Sequence, residues 1–170
     1  MNNFRTMSVT ALTALVLVLL HVGDVAAQQK TLKEQLVGAW TFVSSSSKNP
    51  DGSSVWGANP KGLLIFTDNG RYSSHILRCD VPHFAAKSRV QGTPDENKAA
   101  VHGSIASFGT YTVNEANKSF AVRFEGSSYP NNTGVEQTRP FTLTGDDLKI
   151  INPANTASGA QSELVYKRAK

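Results

Sequence analysis

Few side chains in this 170-residue sequence stand at spacings that chemistry could use. His75, Cys79 and His83 recur every four residues. On a helix that period would stack two imidazoles and a thiol on one side, a donor set suited to zinc. Here His75 falls in a strand pattern and Val81-Pro82 interrupts any helix. The three are therefore read as surface histidines beside a buried thiol, with no metal site and no cofactor. The serine run Ser44–Ser47 reads as a strand end and lacks the Gly-x-Ser-x-Gly elbow that would expose a nucleophile. Neither Gly-x-Gly-x-x-Gly nor a phosphate-binding loop occurs. What remains is a set of one carboxylate, one phenol and two cations: Glu125, Tyr111, Arg71 and Arg139. A cyclase or isomerase could use such groups in an apolar pocket. The alternative is an exposed Glu125 paired with a neighbouring cation and an Arg139 that closes a barrel end. No residue is assigned a catalytic role.

The elements that must position these groups are short. Leu36, Gly38, Trp40 and Phe42 alternate with Val37, Ala39, Thr41 and Val43, and the turn cluster Asn49-Pro50-Asp51-Gly52 follows. Gly62–Thr67 and Arg71–Arg78 flank Asp68-Asn69-Gly70, which is a hairpin signal. Ser107–Val113, Ser119–Glu125, Val135–Leu143, Leu148–Asn152 and Glu163–Arg168 also read as strands, separated by turn residues. About eight strands at this spacing predict a single antiparallel barrel or sandwich. One segment departs from the period of two. Thr93-Pro94-Asp95-Glu96 has the capping-box pair with proline at the first helical position, so a helix of two to three turns is expected between strands three and four.

The first residues belong to a different kind of segment. Arg5, an apolar run from Val9 to Leu20 and the small residues Val25-Ala26-Ala27 form the layout of a secretory signal peptide over 1–27. The run is short for a membrane span, so stable membrane insertion is not expected. The expected domain is then 28–170, secreted or periplasmic. A hydrophobic fraction of 39% with 18% charged residues excludes a highly charged disordered chain. The net charge of +4 raises nucleic acid as a partner, but Lys and Arg are scattered singly without an aromatic-interleaved stripe. Nucleic acid is therefore not an expected partner. Cys79 is the lone cysteine, so no internal disulfide forms, and a buried thiol is expected.

Period two assigns the inner face. Phe120, Val122 and Phe124 share one side of their strand, and Ala121, Arg123 and Glu125 the other. Phe141 and Leu143 share a side with Gln137 and Arg139, which become interior or rim polar groups on an otherwise apolar wall. An eight-stranded barrel either fills with side chains or holds one small ligand.

Several segments together resemble the bacterial and fungal lipocalin-like domain family of calycin-type barrels. They are Leu36-Val37-Gly38-Ala39-Trp40, Asn59–Phe66, Asp68–Ser73, Phe108–Val113, Glu125–Ser128 and Gly134–Phe141, in the family's order. The resemblance implies that Gly38 and Trp40 form the Gly-x-Trp signature, that Trp40 closes the barrel base and that Arg168 packs across it. It implies small-molecule binding, while some related barrels act as cyclases. The chain departs from the family where histidines are common and Val122-Arg123 stand, and where Ser107 replaces an aromatic residue. These readings converge on a protein that takes a small hydrophobic or amphipathic molecule into the barrel mouth. Phe120, Val122, Phe124, Phe141 and Tyr111 would form the wall, and Arg139, Gln137 and Arg71 the polar contacts. A cyclase-type enzyme and a filled barrel acting through its surface are the alternatives. The signal-peptide layout predicts a mature N-terminus within a few residues of Gln28. Intact-mass measurement on protein from the native envelope checks it, and a full-length chain extracted only with detergent contradicts it.

Overall fold

The computed structural model describes residues 29–170, so the expected signal peptide lies outside the described residues. Eight strands pair in sequence order and the last returns to the first, closing an antiparallel up-and-down barrel. They are β1 (Gly38–Ser45), β2 (Lys61–Phe66), β3 (Arg71–Leu77), β4 (Ser104–Asn114), β5 (Ser119–Ser127), β6 (Glu136–Thr144), β7 (Asp147–Asn152) and β8 (Ser162–Arg168). Helix α1 (Leu32–Leu36) precedes β1, and α2 (Pro94–His102) stands between β3 and β4, as the capping box predicted. The Thr93 hydroxyl accepts from the Glu96 N–H, and the Glu96 carboxylate accepts from the N–H of Thr93 at 2.7 Å. Glu96 also accepts from the N–H of Ala85 at 2.8 Å, which ties the preceding loop to the helix. Among the described residues no helix is long and apolar enough to cross a membrane.

Two details differ from the sequence reading. Leu36 is not in the first strand but ends α1, where it is fully buried. The helix has its own capping box, Thr31 with Glu34, so the signal was present but lay next to a strong strand pattern. Cys79 is exposed and not buried. It follows β3 at the start of the long β3–β4 connection, beyond the reach of the core.

The two ends of the barrel are unlike. Tight turns at Thr67–Gly70, Glu115–Lys118 and Gly145–Asp146 join the strands at one end, and α1 lies there too. At that end Phe66 packs on Tyr111 and Phe120 with ring centroids 4.7 and 5.2 Å apart, and Phe120 on Phe141 at 5.7 Å. The Tyr111 hydroxyl donates to the Thr67 carbonyl at 2.8 Å and pins the β2–β3 turn. Trp40 is fully buried and its indole N–H donates to the Leu36 carbonyl at 2.8 Å. The Arg168 guanidinium lies 4.1 Å from the Trp40 ring centroid, a contact worth about 1 kcal/mol. The same guanidinium donates to the carbonyls of Gln35 and Val37, at 2.7 and 3.3 Å. Gly38 has φ +126°, where a side chain would be strained.

This base generates a prediction. Trp40→Ala removes a fully buried indole and should cost about 3–5 kcal/mol. Arg168→Ala should cost less, and the two losses should not add, because each removes the same contact. Denaturant melts of both single variants and the double variant measure the coupling, and additive losses would remove it.

Candidate functional site

All four connections at the other end are long: 46–60, 78–103 with α2, 128–135 and 153–161. They surround the mouth of a cavity of about 560 Å³. Its floor and inner wall include Phe124, Gln137, Arg139, Leu164 and Tyr166. Ser74, Ser104 and Ser107 supply hydroxyls from β3 and β4, and Asn152 and Ser162 stand on β7 and β8. Val55 and Trp56 reach in from the β1–β2 connection, and Val101 and His102 from the end of α2.

Arg139 is held rather than free to swing. Its Nε donates to Gln137 Oε1 at 2.8 Å, and its guanidinium carbon lies 5.7 Å from the centre of the Phe124 ring. Gln137 and Arg139 are two residues apart on β6 and so share a face, as period two requires. Neither Nη1 nor Nη2 of Arg139 makes a hydrogen bond among the described residues, and no carboxylate lies within ion-pair distance. Among the described residues no Asp or Glu lines the cavity. The second arginine in the wall, Arg78, is paired with Asp80 at 2.6 Å. Of the two arginines in the wall, Arg139 is thus the one without a carboxylate partner among the described residues. Burial pushes its pKa down from the usual range, while Tyr166 and Tyr72 act in the opposite direction. The ordinary value is so high that the group stays cationic at neutral pH.

Of the residues named from the sequence, the structure gathers Phe124, Gln137 and Arg139 at the cavity. The others lie elsewhere. Tyr111, Phe120, Val122 and Phe141 are buried, but they are not among the cavity walls, and three of them form the packed aromatic base. The expectation that they line the mouth is corrected: Tyr111, Phe120 and Phe141 pack with Phe66 and fill the interior at the base, and Val122 is buried beside them. Arg71 is corrected too. It sits on the outer face, where it forms a two-pronged ion pair with Glu125, both contacts 2.7 Å long. Glu125 and Arg139 therefore do not meet, and the four groups considered for acid–base work do not converge.

Other wall residues went unnamed. Ser162 shares a face with Leu164 and Tyr166 at period two, so its inward position was open to the same reasoning. Trp56 lies in a turn-rich connection whose path no periodicity reveals. The apolar wall expected from the sequence is in fact mixed, with serine and asparagine side chains among the aliphatic and aromatic ones.

A closed eight-stranded barrel with a plugged base and a hollow, cation-bearing mouth defines a lipocalin-like, ligand-binding kind of protein. Residues 37–169 match the lipocalin-like domain family, and the chain belongs to it. A comparison with curated proteins found no match.

The phenol of Tyr166 reports on this environment. Burial, opposed by Arg139 and the Ser74 hydroxyl, pushes its pKa from 10.0 up to about 12. The folded state therefore holds the phenolic proton more tightly than the unfolded chain. Its contribution is intact below pH 10 and is lost as pH rises toward 12, an amount of about 2–3 kcal/mol. Urea melts between pH 9 and 12 should show wild type losing that much more stability than Tyr166→Phe. Parallel pH profiles of the two proteins would contradict it.

Proposed function

We propose that this protein is exported and binds a small amphipathic molecule in the barrel mouth, with the molecule's anionic group on Arg139. The observation that carries the reading is the guanidinium itself. Among the described residues it lines a cavity without an acidic wall residue, it is fixed by Gln137 and Phe124, and neither Nη group has a hydrogen-bond partner. A buried cation without a counter-charge is costly, and a bound anion offsets that cost. Two free N–H-bearing nitrogens in one plane match a carboxylate, which can accept from both. Phe124, Leu164, Ile76, Ile105 and Trp56 provide the apolar surface for the rest of the molecule. A concave, partly apolar site with few placed polar groups is the usual form of a small-molecule pocket.

The test uses octanoic acid and 1-octanol, which share a chain and differ in charge. A charge-assisted hydrogen bond contributes roughly 1.5–3 kcal/mol, so Arg139→Gln should weaken octanoate about ten- to a hundredfold. The alcohol should lose little. Isothermal titration of both ligands against wild type and variant, with a melt of each protein, measures this. Equal losses for acid and alcohol, or no binding of either by wild type, would overturn the reading.

A further inference from the structure

The wall beside Arg139 carries two polar atoms with nothing to bind. Asn152 Oδ1 and Ser162 Oγ are buried and have no hydrogen-bond partner. Both residues line the cavity, and Asn152 pairs with Ser162 across β7 and β8, so they present to the same face. That face is the inner one, because the next pairs down, Ile150 with Leu164 and Leu148 with Tyr166, are buried. On the other side, β6 meets β7 with Phe141 opposite Ile150. Arg139 and Asn152 each lie two residues beyond that last pair, on the same side of their strands as Phe141 and Ile150. Arg139, Asn152 and Ser162 thus form one polar row over the apolar row Phe141, Ile150 and Leu164.

The row is braced. Asn155, in the connection that follows β7, donates from Nδ2 to the Ala160 carbonyl at 2.6 Å. Its Oδ1 accepts from the N–H of Ser158 at 2.9 Å. The loop between Asn152 and Ser162 is therefore tied to itself, and neither orphan atom is used to hold it. Buried polar atoms are almost always paired, so two adjacent exceptions on residues that line one cavity ask for a partner from within it.

We propose that Asn152 and Ser162 form a second subsite for a hydroxyl of the molecule whose anionic group Arg139 holds, the ligand hydroxyl donating to Asn152 Oδ1 and accepting from the Ser162 hydroxyl. The ligand class is then a hydroxylated carboxylic acid and not a plain fatty acid. This rests on the reading of Arg139 as the anion site. Neighbouring strands lie about 4.8 Å apart, which puts the hydroxyl about 5–10 Å from the carboxylate.

The experiment titrates octanoic, 5-hydroxyoctanoic and 8-hydroxyoctanoic acids into wild type, Arg139→Gln and the double variant Asn152→Leu with Ser162→Ala. Wild type should bind at least one hydroxy acid about tenfold more tightly than octanoic acid, the effect of two added hydrogen bonds. The double variant should lose that preference and keep its affinity for octanoic acid. Arg139→Gln should weaken all three acids and retain the preference. Ser162→Ala alone removes an unpaired buried hydroxyl, so its melting midpoint should hold or rise, which separates loss of binding from loss of fold. Equal affinity for plain and hydroxy acids in wild type would overturn the second subsite while leaving the anion site standing, provided Arg139→Gln still weakens them. A preference that survives the double variant would overturn the subsite as well. No binding of any acid by wild type would overturn both.

Discussion

Closure of β8 onto β1 is the constraint on which the rest of the molecule depends. An open eight-stranded sheet would leave two unpaired edges and a one-sided core. Register between Trp40 and Arg168 brings the first and last strands together, and the guanidinium then covers the indole from the side that strand pairing leaves open. The same cation ties α1 to the barrel through the carbonyls of Gln35 and Val37. One contact therefore joins strand closure, the helix and the plug. Gly38 suits this place because its φ of +126° is a backbone conformation that strains any residue with a side chain.

Once the base is sealed, the interior divides into two layers. The lower layer is dry and aromatic, with Phe66, Tyr111, Phe120 and Phe141 in edge or tilted contact, geometries that suit the charge distribution of the rings. The upper layer has room because its strands run on into long connections and not tight turns. Polar side chains are placed there, and the change from Phe141 to Arg139 on β6 and from Leu164 to Ser162 on β8 marks the boundary. The fold thus places its stability at one end and its free volume at the other.

The electrostatics of the mouth follow from what surrounds it. Arg71 and Arg78 each have a carboxylate partner, Glu125 and Asp80, and Arg168 has Asp146 at 3.4 Å. Arg139 has a glutamine, an aromatic face and two nearby phenols instead. A neutral amide orients the guanidinium without cancelling its charge. That distinction separates a structural arginine from one available to a ligand, and it is a property of neighbours brought from different strands.

Much of the architecture could be read from the order of residues. Alternation along Phe120-Ala121-Val122-Arg123-Phe124 assigns the inner face, because successive strand residues point to opposite sides. Asp68-Asn69-Gly70 marks a hairpin, and Thr93 with Glu96 marks a helix start, because their local hydrogen bonds need only neighbours in sequence. These are short-range facts, and the strand count, the helix and the all-antiparallel class rest on them, while the family resemblance singled out a barrel. Depth is another matter. Phe120, Phe124 and Arg139 look alike as inward positions, yet Phe120 fills the base while Phe124 and Arg139 face open volume. Arg71 and Arg139 look alike as cations near apolar strands, yet Glu125 from β5 claims the first on the outer surface. Cys79 looked suited to a core and is exposed. In each case the missing information is which strand end lies beside which. Barrel closure, connection length and register set that in three dimensions, and no spacing along the chain encodes it.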